Sequence, residues 1–293
     1  MESGVLEGLA PGDLDLDATL SSGQVFRWRR DTDDSWYGMV GSRRIVLQAE
    51  SGGTRLHWFA DGPNPEAAVR SFLRLDDLDL PSALARWSGD DPRFAAAAAR
   101  FPGLRIVRQD RLECVVSFLL ASAAPVARIS SMAWAVARLC ETDSGERFVA
   151  FPGVEELAHL PEAALRAAGL GFRAPRVVAA ARRLAADPGC LERIRSGDRD
   201  AVQALLDDFL GVGPKIADCA ALFAFDCDDA VPVDVHIWRI TQSLVAPELA
   251  GKSLTAANYQ RARDAWVARY GPHAGWAQQI LFHDAARKAA GAT

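Results

Sequence analysis

The chain has 293 residues, of which 49% are hydrophobic and 24% charged, a balance typical of a globular protein with two or three structural units. Its net charge of −5 counts against a protein that binds nucleic acid over its whole surface. A local basic face is compatible with that charge, because binding depends on where charges lie rather than on their sum.

The sequence carries no sign of membrane insertion or export. No apolar run is long enough to span a bilayer. The first residues, MESGVLEGLAPGDLDLD, lack the basic and then apolar pattern of a signal peptide. We therefore expect a cytoplasmic protein, nucleoid-associated in a bacterium, or a nuclear one. The five cysteines lack paired spacing, so neither disulfides nor a four-cysteine metal site is expected.

Residues 20–60 have the composition of β-strands. β-branched and aromatic stretches alternate with turn-rich pieces, which predicts an antiparallel meander. The stretches are SGQVFRWRR, SWYGMV, RRIVLQAE and TRLHWFA, separated by DTDD, GS and SGG. A short helix is predicted in NPEAAVRSFLRL, with Asn64 as its cap and Pro65 at its first position.

From about residue 105 the pattern is helical. Apolar residues recur at three- and four-residue steps between Val126 and Leu139. Further helices are predicted at Pro161 to Gly169, Ala174 to Ala186, Asp198 or Asp200 to about Leu210, Pro214 to near Asp226, Asp234 to Leu244, and Trp276 to Arg287. We predict an α+β protein with an N-terminal antiparallel β-sheet domain, residues 1–103, followed by a mainly α-helical domain, residues 104–293.

The segment LLDDFLGVGPKIADC predicts two helices joined by a tight turn, at about residues 200–226. Gly211 and Gly213 flank Val212 in a turn that needs the conformational freedom of glycine. Glycine also leaves backbone N–H groups uncovered, so that they can approach a phosphate closely. Such a hairpin can hold DNA without a basic side-chain patch, which suits an acidic chain. The alternative is a plain helical hairpin with a glycine cap.

Lys215 is one of only three lysines, and it lies in the first turn of an apolar helix. Apolar surroundings and the positive end of the helix dipole both disfavour its charged form, which makes the amine a better nucleophile. The alternative is that its stem packs while its head reaches solvent.

Asp234 follows Lys215 by nineteen residues, in VPVDVH. We expect its carboxylate to cap the next helix and to remain ionised. An anion in this position can also stabilise positive charge that develops on a sugar as a glycosidic bond breaks.

GVGPKIADC followed by VPVDVH closely resembles the helix-hairpin-helix-GPD superfamily of DNA glycosylases, and within it the 8-oxoguanine DNA glycosylase branch. Further matches occur in order along nearly the whole chain, in SGQVFRW, RQDRLECVVSFLLAS, VARI, GLGFRA and AGWAQQILF. The resemblance implies a bifunctional glycosylase and AP lyase that excises oxidised purine from double-stranded DNA by base flipping. We expect a monomer that requires no cofactor.

The resemblance also implies roles for individual residues. Lys215 is similar to the nucleophile that forms a Schiff base with the sugar, and Asp234 to the essential carboxylate. The base pocket would comprise the Gly23 carbonyl, Cys219 and Phe282 on the two faces of the base, Gln278 at its pairing edge and His236 nearby. Arg128 and Arg173 would hold the orphaned cytosine beside a wedge, Phe172. Gly211, Val212 and Gly213 would contact the DNA backbone, and the carbonyls of Asp207, Phe209 and Val212 would coordinate a monovalent cation, K⁺ or Na⁺.

This chain departs from the family pattern before its ARI motif. Ala123, Ala124 and Pro125 stand where the family usually has a run of asparagines. An asparagine there fills the hole left by the flipped base and bonds the cytosine, which alanine cannot do. The alternatives are a glycosylase for another damaged purine, a DNA-damage binding protein without catalysis, and a helical structural protein that binds no DNA.

Overall fold

The computed structural model describes residues 1–50, 54–89, 91–141 and 147–291. Its N-terminal part contains a five-stranded antiparallel sheet with the strand order β1-β5-β4-β3-β2. The strands are β1 (Glu2–Leu6), β2 (Arg29–Arg30), β3 (Trp36–Val40), β4 (Arg43–Ala49) and β5 (Leu56–Ala60), with helix α1 (Leu16–Ser21) between β1 and β2. The SGG turn predicted before β5 lies outside the described residues.

One face of this sheet forms a small hydrophobic core. Ile45 and Leu47 of β4 oppose Ala60 and Trp58 of β5, and all four are buried. Helix α2 (Pro65–Leu73) covers this face. The alternation of buried and more exposed residues along β3, β4 and β5 explains why the sequence predicted these three strands correctly.

The remaining elements are helical and surround a second, larger core. They are α3 (Leu80–Ser88), α4 (Pro92–Arg100), α5 (Arg111–Leu120), α6 (Val126–Leu139), α7 (Val154–His159), α8 (Glu162–Leu165), α9 (Ala174–Ala185), α10 (Cys190–Arg193), α11 (Arg199–Leu206), α12 (Pro214–Ala224), α13 (Val235–Ile240), α14 (Ala256–Tyr270) and α15 (Ala274–Gly291). The predicted α+β class is confirmed. None of the helices in the described ranges is long and apolar enough to cross a membrane.

Some local predictions are wrong. SGQVFRWRR was expected to be a strand, yet only Arg29–Arg30 pairs with β3. Gly23 has a φ of +80° and the Gln24 side chain bonds the carbonyls of Thr19 and Arg105, so this segment forms a fixed loop rather than a ladder. Asn64 occupies the cap position of α2, but its side chain makes no capping hydrogen bond because its backbone is left-handed.

Several elements were not predicted individually, among them α1, α7, α10 and α14. β1 pairs with β5 from the N-terminal segment, for which the sequence predicts no strand. Helices α3 and α4 precede residue 103 but pack in the larger core, through residues such as Trp87 and Phe94. The boundary at residue 103 stays a prediction, although the hydrophobic contacts of α3 and α4 lie with the helical part.

Candidate active site

The helix–hairpin–helix forms where the sequence predicts it. Asp198 caps α11 by accepting the Ala201 N–H at 3.0 Å. Gly211 adopts a φ of +83°, which allows the chain to reverse direction. Gly213 is extended and its carbonyl accepts the Ile216 N–H at 3.0 Å, so that α12 begins at Pro214.

Lys215 lies in the first turn of α12 and is half-buried. Its amine nitrogen is 5.4 Å from the centre of the Phe118 ring. Burial raises the pKa of the neighbouring Cys219 thiol to about 11, although the charge and hydrogen bonding of Lys215 lower it. No carboxylate in the described ranges lies within 4.0 Å of the amine, and the environment is largely apolar, as predicted.

Asp234 is the N-cap of α13, also as predicted. Its Oδ1 accepts the backbone N–H groups of His236 at 2.9 Å and Ile237 at 2.8 Å. These two bonds fix the carboxylate at the helix start. Asp234 is only half-buried, and one side of it faces the same cavity as Lys215.

That cavity has a volume of about 730 Å³, which is in the range of small-molecule sites. Its walls come from segments far apart in the sequence. They include Gly23, Phe26, Phe118, Ser122, Ala123, Val126, Gly213, Lys215, Asp234, His236, Leu254, Tyr259 and Phe282. The structure therefore brings together the predicted nucleophile, the predicted carboxylate and three predicted members of the base pocket. Phe26 and Phe118, whose rings meet edge to face at 5.4 Å, were missed because they read as ordinary core.

The loop that carries Gly23 is held rigidly against the cavity. Val107 N–H donates to the Gln24 Oε1 at 2.8 Å, and the Gln24 amide donates to the Arg105 carbonyl at 2.8 Å. Gln279 donates to the Ser22 carbonyl at 3.0 Å from α15. A Cβ at residue 23 would lie 3.2 Å from Val126 and 3.9 Å from Phe282. Glycine thus allows the backbone itself to form this wall.

Of the other predicted pocket residues, two line the cavity and two do not. The rings of His236 and Phe282 are 6.3 Å apart at the cavity wall. Cys219 and Gln278, both predicted to contact the base, are buried and do not line the cavity. The Gln278 Oε1 is buried without a hydrogen-bond partner in the described part of the chain.

Comparison with known proteins shows the family of the chain. The family model of the 8-oxoguanine DNA glycosylase N-terminal domain matches residues 8–115. The N-glycosylase/DNA lyase OGG1 of Arabidopsis thaliana is 34% identical over 281 residues, which cover 92% of this chain and 77% of that relative. The chain belongs to this family of N-glycosylase/DNA lyases.

Solved structures confirm the family's fold. MBOgg1 in complex with a low affinity DNA ligand superposes with a TM-score of 0.83 at 26% identity, covering 98% of this chain and 96% of that one. The Clostridium acetobutylicum 8-oxoguanine glycosylase/lyase, in complex with dsDNA containing cytosine opposite to 8-oxoG, superposes with a TM-score of 0.81 at 24% identity. That match covers 94% of this chain and 93% of the other.

The predicted wedge and arginines of this family member lie beside the cavity mouth. Phe172 is 53% exposed, with the Arg173 guanidinium 4.3 Å from its ring centre. Arg173 donates to the Ser122 and Ala123 carbonyls, and Arg128 donates to the Gly169 carbonyl at 2.6 Å. Loop residues 121–124 line the cavity and so connect it to this arginine group.

A buried polar network supports the two catalytic candidates from behind. The Tyr259 hydroxyl donates to Asp218 Oδ2 at 2.7 Å and accepts the Val233 N–H at 3.2 Å. Arg199 donates to Asp218 Oδ1 at 2.7 Å. Burial raises the pKa of the Asp218 carboxyl, although Arg199 and Tyr259 act to lower it. Through Tyr259, the network joins α12, the helix that carries Lys215, to Val233, the residue before Asp234. Its members are far apart in the sequence, so no local sequence pattern identifies them.

Proposed function

We propose that this protein is a bifunctional DNA glycosylase and AP lyase that excises oxidised purine, 8-oxoguanine, from duplex DNA. The observation that carries the proposal is the meeting of Lys215 and Asp234 at one largely apolar cavity. A nucleophilic amine and a fixed anion beside a base-sized space are what cleavage of a flipped nucleotide requires. Membership of the N-glycosylase/DNA lyase family supports the same activity.

The chemistry follows from the positions of the two side chains. The nitrogen lone pair of Lys215 attacks the sugar C1′, and the glycosidic bond breaks with its electron pair leaving on the base. Asp234 stabilises the positive charge that develops on the sugar. The nitrogen gives one proton to the departing base, and its lone pair then forms the double bond to C1′ while the ring opens. O4′ takes up a proton as a hydroxyl, and the nitrogen keeps one proton, which gives a protonated Schiff base. Removal of a C2′ proton expels the 3′ phosphate by β-elimination and nicks the strand.

The cavity walls read the base. The Gly23 carbonyl accepts the N7 proton of an oxidised guanine, whereas normal guanine presents a bare acceptor there and is repelled. Phe282 packs on one face of the base, and His236 contacts a nearby phosphate or base atom. Cys219 and Gln278, which are buried and do not line the cavity, meet the other face and the pairing edge when the pocket opens around the base. The buried, unpaired Oε1 of Gln278 supports this role, because such an atom costs free energy until it gains a donor.

The surfaces beside the cavity bind the duplex. Phe172 enters the stack, while Arg128 and Arg173 hold the unpaired base opposite. In the hairpin, the N–H groups of Gly211 and Gly213 approach the DNA backbone. The Val212 N–H already donates to the Phe209 carbonyl at 3.0 Å, so Val212 contacts the DNA by other atoms.

The hairpin carbonyls of Asp207, Phe209 and Val212 are suitable ligands for K⁺ or Na⁺. Uncharged oxygen donors suit a hard monovalent cation, and the Phe209 oxygen keeps a second lone pair beside its bond to Val212. A cation held there would add positive charge where the backbone phosphate approaches. No cluster of three His, Cys, Asp or Glu side chains that could hold a metal occurs in the described ranges.

Borohydride trapping tests the proposal. The wild-type protein should become covalently linked to a duplex that contains 8-oxoguanine opposite cytosine. Lys215→Gln should abolish the link, whereas Lys288→Gln, which changes an exposed lysine paired with Asp284, should retain it. A wild-type protein that binds the duplex but never forms the link would refute the lysine mechanism.

A panel of duplexes separates this activity from the alternatives. Each lesion is placed opposite all four bases, and base release and strand cleavage are scored separately. Release of another damaged purine in preference to 8-oxoguanine would show that this other purine is the preferred substrate. Binding without base release from every duplex would identify a damage-binding protein.

A further inference from the structure

Arg176 connects three parts of the DNA-binding face. It lies in the first turn of α9 and is half-buried. Its Nη1 donates to the Ser122 hydroxyl at 3.0 Å, and its guanidinium is 5.2 Å from the centre of the Phe172 ring. A Cβ at residue 211 would lie 2.6 Å from its Cδ and Cζ, so the arginine covers the bare Cα of Gly211.

Arg176 lacks an anionic partner. In the described ranges no carboxylate lies within 4.0 Å of Arg176, Arg128 or Arg173. The three charges act on one another, because burial and then the charges of Arg128 and Arg176 lower the pKa of the Arg173 guanidinium. Neighbouring like charges destabilise the folded protein, and they are compensated when an anion binds among them.

Open hydrogen-bond donors of the hairpin lie beside the same guanidinium. The N–H groups of Gly211 and Gly213 donate to no acceptor among the described residues. The N-terminus of α12, which has eleven residues, begins directly after them. Arg176 packs over Gly211, and its Nε and Nη2 donate to no acceptor among the described residues, so it offers charge-assisted donors beside these N–H groups.

We propose that Arg176 binds the DNA phosphate held by the hairpin and so sets the position of the hairpin relative to the Phe172 wedge. This inference rests on the proposed function. The hairpin thus has a basic side chain of its own, although the sequence suggested that its backbone alone would contact DNA. Because Arg176 also bonds Ser122, one residue fixes both the phosphate and the loop that precedes Ala123.

The test is the salt dependence of binding to a duplex with a non-cleavable lesion analogue. Arg176→Ala should weaken binding about tenfold at moderate salt. It should also reduce the slope of log K against log salt by about 0.9, the value for one lost phosphate contact. Arg176→Lys should keep the slope. Arg182→Ala removes an exposed arginine from another face of the same helix and should leave both quantities unchanged.

The outcomes distinguish this inference from the proposed function. A wild-type protein that binds no duplex overturns both. A wild-type protein that binds while Arg176→Ala keeps the full slope overturns the phosphate contact alone. A loss that appears opposite one base and vanishes opposite the others also overturns it, because a phosphate carries no base identity. An equal loss opposite all four bases, with the reduced slope, confirms it.

Discussion

Ala123 is held in a conformation that its side chain disfavours. Its φ is +49°, in the left-handed region, where an L-residue with a Cβ loses about 1–2 kcal/mol. Glycine has no such penalty but loses about 0.5–1 kcal/mol more backbone entropy on folding. Ala123→Gly should therefore raise the free energy of unfolding by about 0.5–1 kcal/mol. Ala123→Asn should change it in the same direction, because asparagine tolerates this region.

Urea unfolding measures the change, and Ala179→Gly provides a matched control. Ala179 is exposed within α9, so glycine there should lower stability by about 1 kcal/mol. Opposite signs for the two glycine variants would confirm the left-handed backbone at residue 123. Equal losses of stability from both variants would show that residue 123 does not adopt the left-handed backbone.

Ala123→Asn also has a functional consequence, because residue 123 lines the cavity mouth. An added amide can bond the base opposite the lesion, and one hydrogen bond changes a rate by about fivefold. Base release opposite cytosine should increase relative to release opposite adenine. Single-turnover rates on the two duplexes measure this ratio, and an unchanged ratio would show that the new side chain does not reach the opposite base.

Tyr259→Phe removes the acceptor of the Val233 N–H and should cost about 1–3 kcal/mol in stability. Single-turnover base release should also fall because Asp234 is less firmly positioned, and a wild-type rate would contradict this. Gly211→Ala should lower the free energy of unfolding by at least about 0.5–1 kcal/mol, because the strain at a φ of +83° exceeds the entropy that glycine loses on folding, and it should weaken DNA binding by displacing Arg176. The pKa of the Asp91 carboxyl lies below its ordinary value. Burial acts to raise this pKa, but the hydrogen bonds to the carboxyl and the charge of Arg269 together lower it by more, so Asp91 should contribute to acid sensitivity. That stability is present at neutral pH and is lost as pH falls below about 4, so Asp91→Asn should flatten the pH profile of unfolding in this range.

The sequence correctly predicted the structural features that depend on residues close together along the chain. The hairpin, the Pro214 helix start and the Asp234 cap each depend on a few neighbouring residues, and the structure has all three. The predicted strand SGQVFRWRR failed for the opposite reason. Its Gln24 side chain is held by the backbone carbonyl of Arg105 and the backbone N–H of Val107, which are too distant in sequence to give a local signal.

Other contacts became visible only in the folded chain. From the sequence alone, Arg176 has the pattern of a solvent-exposed charge on a helix, and Tyr259 that of an aromatic residue in the core. Their roles come from Gly211, Ser122 and Val233, which belong to other elements. A pattern of residue types cannot encode which distant groups meet, because the same pattern satisfies many packings.

By itself, the sequence determined the order of most helices and strands, the family, and the two residues proposed to carry the chemistry. Backbone preferences and apolar periodicity depend on a few neighbouring residues, so they can be recognised in a short stretch of sequence. The tertiary structure decided how Gly23, Phe118 and Phe282 enclose a space around Lys215 and Asp234. It also placed Arg176 over the hairpin, because only the packing of α9 against the 207–213 turn brings these groups together.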